Sequence, residues 1–218
     1  MNHFEPRVPL PDLPDAHGRE IRTDLRPIAD MVASGSRVLD VGCGDGALLH
    51  YLWRAKRVDG RGLEISHEGV RMCISRGLSV TQGDADTDLA DFPSGAFDCV
   101  ILSQTLQTVR APRVVLEHLV RIGRQAIVSF PNFGYWRVRL ALLRTGRMPV
   151  TSGLPLQWYD TPNIHLCTIR DFAILCGEMG VEIDRSLALR RSGQIQEMPP
   201  GHRANLLAET AIFLLRRR

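Results

Sequence analysis

Residues 38 to 52, VLDVGCGDGALLHYL, leave few folds open to this chain. An apolar run with the look of a buried parallel strand ends in Asp40, and a glycine-rich turn follows at once. Gly42, Gly44 and Gly46 let the backbone turn tightly and let a ligand approach it closely. Ala47 onward starts a helix whose amide-rich N-terminus faces the same crevice. Asp40 then selects among ligands. A dinucleotide would bring its pyrophosphate here and meet a carboxylate, whereas S-adenosylmethionine (SAM) brings a cationic ammonium that Asp40 can hold directly or through water.

The turn by itself is ambiguous, because Gly42, Gly44 and Ala47 also satisfy the dinucleotide pattern G-x-G-x-x-G/A. Further positions break the tie. GRGLEIS (60 to 66) reads as a second strand ending in Glu64, about 20 residues past the first glycine, the distance at which an acid meets ribose hydroxyls. GDAD (83 to 86) follows the apolar stretch Leu78 to Val80. It places Asp84 to accept from an adenine amino group and the Ala85 amide to donate to the ring beside it. Acids at 40, 64 and 84, in that order, match an ammonium, a ribose and an adenine laid across one sheet edge. Ile65 and Ser103 join the expected cofactor set. For Glu64 and Asp84 the plainer alternative is a helix cap or turn carboxylate.

Length and composition narrow the rest. A chain of 218 residues with 44% hydrophobic content can bury one good core. The expected division is an irregular, proline-rich lead-in over 1–22 and one SAM-binding domain over 23–218. No stretch approaches about 18 uninterrupted apolar residues, and the N-terminus is unlike a signal peptide, so no membrane and a cytoplasmic location are expected. The five cysteines show neither a C-x-x-C pair nor a histidine at metal spacing, and they read as reduced thiols with no metal. Cys43 and Cys167 have no evident activating partner as nucleophiles.

A net charge of +3 excludes a general nucleic-acid surface. The exception is WRVRLALLRTGR (136 to 147), where Arg137, Arg144 and Arg147 would share a helical face opposite Leu140 and Leu143. That face is either solvated or a docking surface. Arg216 to Arg218 read as a polar tail.

Along the chain, strands and helices alternate. Leu25, Ile28, Ala29 and Val32 recur at helical spacing, Ser66 caps a helix reaching Arg76, and Phe97 to Ser103 reads as a central strand. Pro112 starts another helix, and Gln125 to Phe130 supplies a fifth strand. This rhythm predicts a parallel α/β sheet. It breaks at 134–167, an insertion carrying Tyr135, Trp136, Trp158, Tyr159 and His165, of a length that is usually functional. Thr168 to Asp171 forms a capping signal for the next helix. Val181 to Leu189 and Glu209 to Leu215 look like an antiparallel pair that closes a seven-stranded sheet.

This order of elements, and VLDVGCGDG in particular, resembles the class I SAM-dependent methyltransferases. The resemblance implies a Rossmann-like fold: a seven-stranded, mostly parallel sheet with an antiparallel C-terminal pair and helices on both faces. DLRPIADMV, GSRVLDVGCGDGALL, QGDADTDLADFPSGAFDCVILSQTLQTV, SFPNFGYWRVRLALL and TPNIHLCTIRDF together resemble the MetW family of methionine-biosynthesis proteins. That resemblance implies SAM or S-adenosylhomocysteine as ligand and a MetX-type homoserine O-acyltransferase as the partner that the chain supports or regulates.

Whether catalysis follows is left open. Amine methyltransferases carry an N/D-P-P-Y/F motif after the fourth strand, where this chain has Ser103-Gln104-Thr105-Leu106. SFPNF (129 to 133) follows the fifth strand and reads as a turn shaping the cleft. His165 is the weak candidate for a general base, against a histidine that orders the insertion. The alternative function is a catalytic methyltransferase acting on a small molecule. Methyl transfer needs alignment and a desolvated pocket more than a base.

Overall fold

The computed structural model describes residues 21–22, 24–151, 154–190 and 192–217. Almost all of the expected lead-in over 1–22 lies outside the described residues. The elements run α1 (Arg26–Met31), β1 (Arg37–Val41), α2 (Ala47–Lys56), β2 (Asp59–Glu64), α3 (His67–Ser75), β3 (Ser79–Gln82), β4 (Phe97–Ser103), α4 (Pro112–Ile122) and β5 (Gly123–Pro131). They continue with α5 (Trp136–Thr145), α6 (Ile169–Glu178), β6 (Val181–Leu189), β7 (Ile195–Glu197), α7 (His202–Leu207) and β8 (Thr210–Arg217).

All eight strands form one sheet in the order β3-β2-β1-β4-β5-β8-β6-β7. The first five pair in parallel, and β8 runs antiparallel between β5 and β6. The order reverses direction at β1, the position at which open α/β sheets bind ligands beyond their strand ends. Apolar side chains fill both faces, because strands covered on both sides must be hydrophobic throughout. One core joins α4 and α6 to the sheet through Leu116, Leu119, Phe130, Phe172 and Phe213. The other joins α1 and α2 through Ile28, Leu48, Leu49 and Leu52. Among the described residues no helix is long and apolar enough to cross a membrane.

Two expectations are corrected. The sheet has eight strands rather than seven, because residues 195–197 pair with β6 across a turn in which Gly193 has φ 79°. All three residues of β7 are exposed, so no burial pattern marks them. Arg216 and Arg217 do not form a tail: both belong to β8, and Arg216 reaches Asp184 at 3.1 Å. On α5 only Val138 is buried, and Leu143 is 83% exposed.

The capping signal ahead of α6 is formed as expected. The Asp171 amide donates to Thr168 Oγ1 at 3.3 Å, and the Thr168 amide donates to Asp171 Oδ2 at 3.2 Å. Asp171→Ala leaves one helix-terminal amide without its acceptor. It is expected to cost about 1 kcal/mol, measured by urea unfolding.

Candidate functional site

The expected site residues gather at the carboxyl ends of β1, β2, β3 and β4. Asp40 sits next to last on β1, 3% exposed, and no hydrogen-bond partner for its carboxylate occurs among the described residues. Burial, and then the negative charge of Glu64, push its carboxyl up to about 8. A buried carboxylate of this kind is costly unless a cation meets it.

The turn after β1 is pinned to the neighbouring strand: the Gly42 and Cys43 amides both donate to the Leu63 carbonyl, at 2.8 and 3.3 Å. Two glycines in it do different work. Gly42 has φ 71°, and a Cβ there would stand 2.5 Å from Thr105 Oγ1, so its small size lets the β4 loop pack against the turn. Gly44 has φ 56°, but a Cβ there would meet nothing within 4 Å. The space over Gly44 is therefore open.

Glu64, also buried, ends β2. Its Oε2 accepts from the Gly44 amide at 2.8 Å and its Oε1 from the Ser66 amide at 2.8 Å. The ribose acid expected from the spacing thus also clamps the glycine turn. A carboxylate has about four acceptor positions, so two backbone donors leave it capacity for hydroxyl groups. Ile65 beside it is 64% exposed, an apolar side chain standing at the edge.

Past β3, Asp84 Oδ1 accepts from the Asp86 amide at 2.9 Å, and the Asp84 amide donates to Asp88 Oδ2 at 3.0 Å. Asp84 therefore fills the turn role just past the carboxyl end of β3. Ala85 is half-buried against the core. Asp86 does something the spacing did not reveal: its carboxylate accepts from the Arg110 and Ala111 amides at 2.9–3.0 Å and so anchors the start of α4.

Ser103, at the end of β4, lies 3.1 Å through its hydroxyl from that of Ser129. The next residue, Gln104, takes φ 55°, an uncommon conformation for a residue with a side chain. Gln107 donates through Nε2 to the Gln104 carbonyl at 2.7 Å, and its own carbonyl accepts from the Ile164 and His165 amides at 2.9 and 3.0 Å. The insertion therefore hangs from the turn after β4. A cavity of about 180 Å³ lies between the Gln104, Gln107 and Pro131 side and residues 154–156 and 161–163. His165 does not line it, and its ring Nε2 stands 3.4 Å from the Arg110 carbonyl. Neither Gln104 nor Gln107 carries a motif by which sequence could have singled it out.

Two thiols also meet here. Cys43 and Cys73 Sγ are 3.7 Å apart, and burial raises both thiols above the ordinary range. Cys167 is likewise pushed up to about 12 by burial, so the thiol form dominates at neutral pH.

Comparison with known proteins agrees with this geometry. The family model described as "Methionine biosynthesis protein MetW" matches residues 22–215. The bifunctional methionine biosynthesis protein MetXA/MetW of Rhodopirellula baltica is 34% identical over 206 residues, which is 90% of this chain and 33% of that protein. The chain thus spans about a third of that relative's length. Among solved structures, a SAM-dependent methyltransferase from Thermotoga maritima superposes with a TM-score of 0.66 at 15% identity, covering 90% of this chain and 88% of its own. One from Archaeoglobus fulgidus gives 0.65 at 14%, covering 88% and 91%. At such identities the structures establish the Rossmann-like methyltransferase fold.

Proposed function

Because the chain belongs to the MetW family of methionine-biosynthesis proteins, we propose that it binds SAM and associates with homoserine O-acyltransferase, which it supports or regulates. The observation that carries the association is the relative in which a part named MetXA and a part named MetW share one polypeptide. Joining two modules in one chain raises the local concentration of each for the other, and so favours partners that work in contact.

The residues present fit SAM. Asp40 supplies a buried carboxyl that gives up its proton to meet the ammonium, Gly44 the open backbone beside it, and Glu64 acceptor positions for the ribose hydroxyls. Gly42 and Gly46 hold the turn, Ile65 gives an apolar wall, and Asp84 with the Ala85 amide takes the adenine edge. Ser103 closes the set from β4. When bound, SAM supplies a methyl group on a positive sulfur. The same cleft would take S-adenosylhomocysteine, which lacks that charge.

The test is calorimetric. Titration of the chain with SAM and with S-adenosylhomocysteine, then with homoserine O-acyltransferase in the presence of each, is expected to show micromolar cofactor binding and a partner affinity that depends on the cofactor. Regulation requires that difference, since a ligand binding both states equally shifts nothing. Acyltransferase rates that are identical with and without saturating SAM would remove the regulatory half and leave association alone.

One observation favours a second reading, catalytic methyl transfer to a small molecule. The 180 Å³ cavity opens at the ends of β4 and β5, on the same sheet edge as the cofactor residues. Transfer of labelled methyl from SAM to any metabolite of a cell extract would support it. His165, turned toward Arg110, would then act at most through the loop it holds.

A further inference from the structure

The insertion between β5 and α6 is built unlike the rest of the fold. Its interior is a small separate core of Tyr135, Val138 and Leu154 with Phe133 packed on it. Outside that core its apolar side chains face solvent. Of the 18 large hydrophobic residues exposed among the described residues, 10 fall between 136 and 166. Leu143 is 83% exposed, Trp158 71% and Tyr159 66%, with Leu142, Ile164 and Leu166 about half exposed. A monomeric protein rarely concentrates apolar surface in this way unless something covers it.

The charge in the segment is mostly of one sign as well. Residues 133–167 contain Arg137, Arg139, Arg144 and Arg147 against a single acid, Asp160. Arg137 lies over the Trp136 ring at 5.1 Å, and Trp158 and Tyr159 contact each other edge-on at 5.6 Å between centroids. Exposed Trp, Tyr and Arg are the side chains that dominate protein–protein contact energies.

We propose that this lobe is the surface that docks the acyltransferase, and that the face it meets is apolar at its centre with an acidic rim. The inference rests on the association argued above, and it adds where on this chain the contact is made. A lipid surface is the weaker match. α5 has ten residues, and the exposed apolar side chains continue past it through Leu156, Trp158, Ile164 and Leu166 instead of lining one side of a helix.

The experiment compares the full chain with Leu143→Asp, Trp158→Ala and Arg144→Glu in titrations against homoserine O-acyltransferase at two salt concentrations. All three residues are exposed, and unchanged melting temperature and SAM affinity verify that each variant is folded. The expected result is a loss of about 30-fold or more in partner affinity for Leu143→Asp and Trp158→Ala. For Arg144→Glu the expected result is a smaller loss together with a flatter salt dependence. A partner that binds the chain but also binds all three variants at full strength overturns the docking surface and leaves the association standing. A partner that binds none of them, the unaltered chain included, overturns the association itself. Sedimentation of the chain alone and binding to phosphatidylglycerol vesicles complete the set: a self-dimer or a vesicle affinity abolished by the same substitutions, with partner affinity unchanged, reassigns the face and overturns the proposal.

Discussion

Replacing Asp40 or Glu64 with alanine is expected to weaken SAM binding by about 100-fold or more, to below detection in a micromolar titration, while the chain stays folded. The two losses have different physical origins. In the proposed site, Asp40→Ala removes the carboxyl offered to the ammonium. Glu64→Ala removes ribose acceptors and also releases the Gly44 and Ser66 amides, so the glycine turn loses its clamp. Full affinity in either variant would sink the site assignment.

Asp40 adds a pH signature. With its carboxyl at about 8 in the folded chain, Asp40 is mostly protonated at neutral pH, and an incoming cation must drive the proton off. SAM affinity should therefore rise about tenfold per pH unit up to about 8, with about one proton released per SAM at pH 7. Calorimetry in buffers of different ionisation enthalpy reads that proton directly. For stability the sign is opposite. A folded pKa raised above the unfolded value contributes stability that is fully present below about pH 4 and is lost as pH rises through about 8. Asp40→Asn should flatten that decline in the free chain, and urea unfolding between pH 5 and 9 checks it.

Phe213→Ala is expected to cost about 3–5 kcal/mol, a large share of the stability of an ordinary domain. Phe213 lies in β8 and is fully buried. Its ring meets Phe172 at 4.6 Å and Phe130 at 5.8 Å between centroids, joining β5, α6 and β8 in one aromatic cluster. Phe213→Leu, which keeps most of the volume, should cost about 1.5 kcal/mol or less. Equal losses for the two substitutions in urea titrations would show that shape, and not buried volume, holds the cluster.

The parallel half of the sheet was legible because its signals are local. Val38 to Val41 and Phe97 to Ser103 are unbroken or nearly unbroken apolar runs, and Ser66 and Thr168 are side-chain caps whose bonds form as their spacing predicts. The acids at 40, 64 and 84 are legible in the same local way, since each stands at or near the carboxyl end of a strand. What escaped has its cause elsewhere in the molecule. β7 is exposed on all three residues and exists only because β6 offers it a ladder. Helical spacing places Leu140 and Leu143 opposite the arginines of α5, but periodicity tells which side chains share a face and not whether anything covers that face. The hold of Glu64 on Gly44 depends on a turn 20 residues earlier, and the left-handed Gln104 donates its amide to Ser129, 25 residues later.

The place of β8 bears on how the chain is made. It is the last strand in sequence, but it lies between β5 and β6 in the sheet. During synthesis β5 therefore waits with an apolar, unpaired edge while nearly eighty further residues emerge, and β6 with β7 has no sheet to join. Only when residues 210–217 leave the ribosome can the two halves close, with Phe213 sealing the cluster. Ribosome stalling before that point would leave a half-open sheet with exposed strand edges, the kind of surface that favours aggregation.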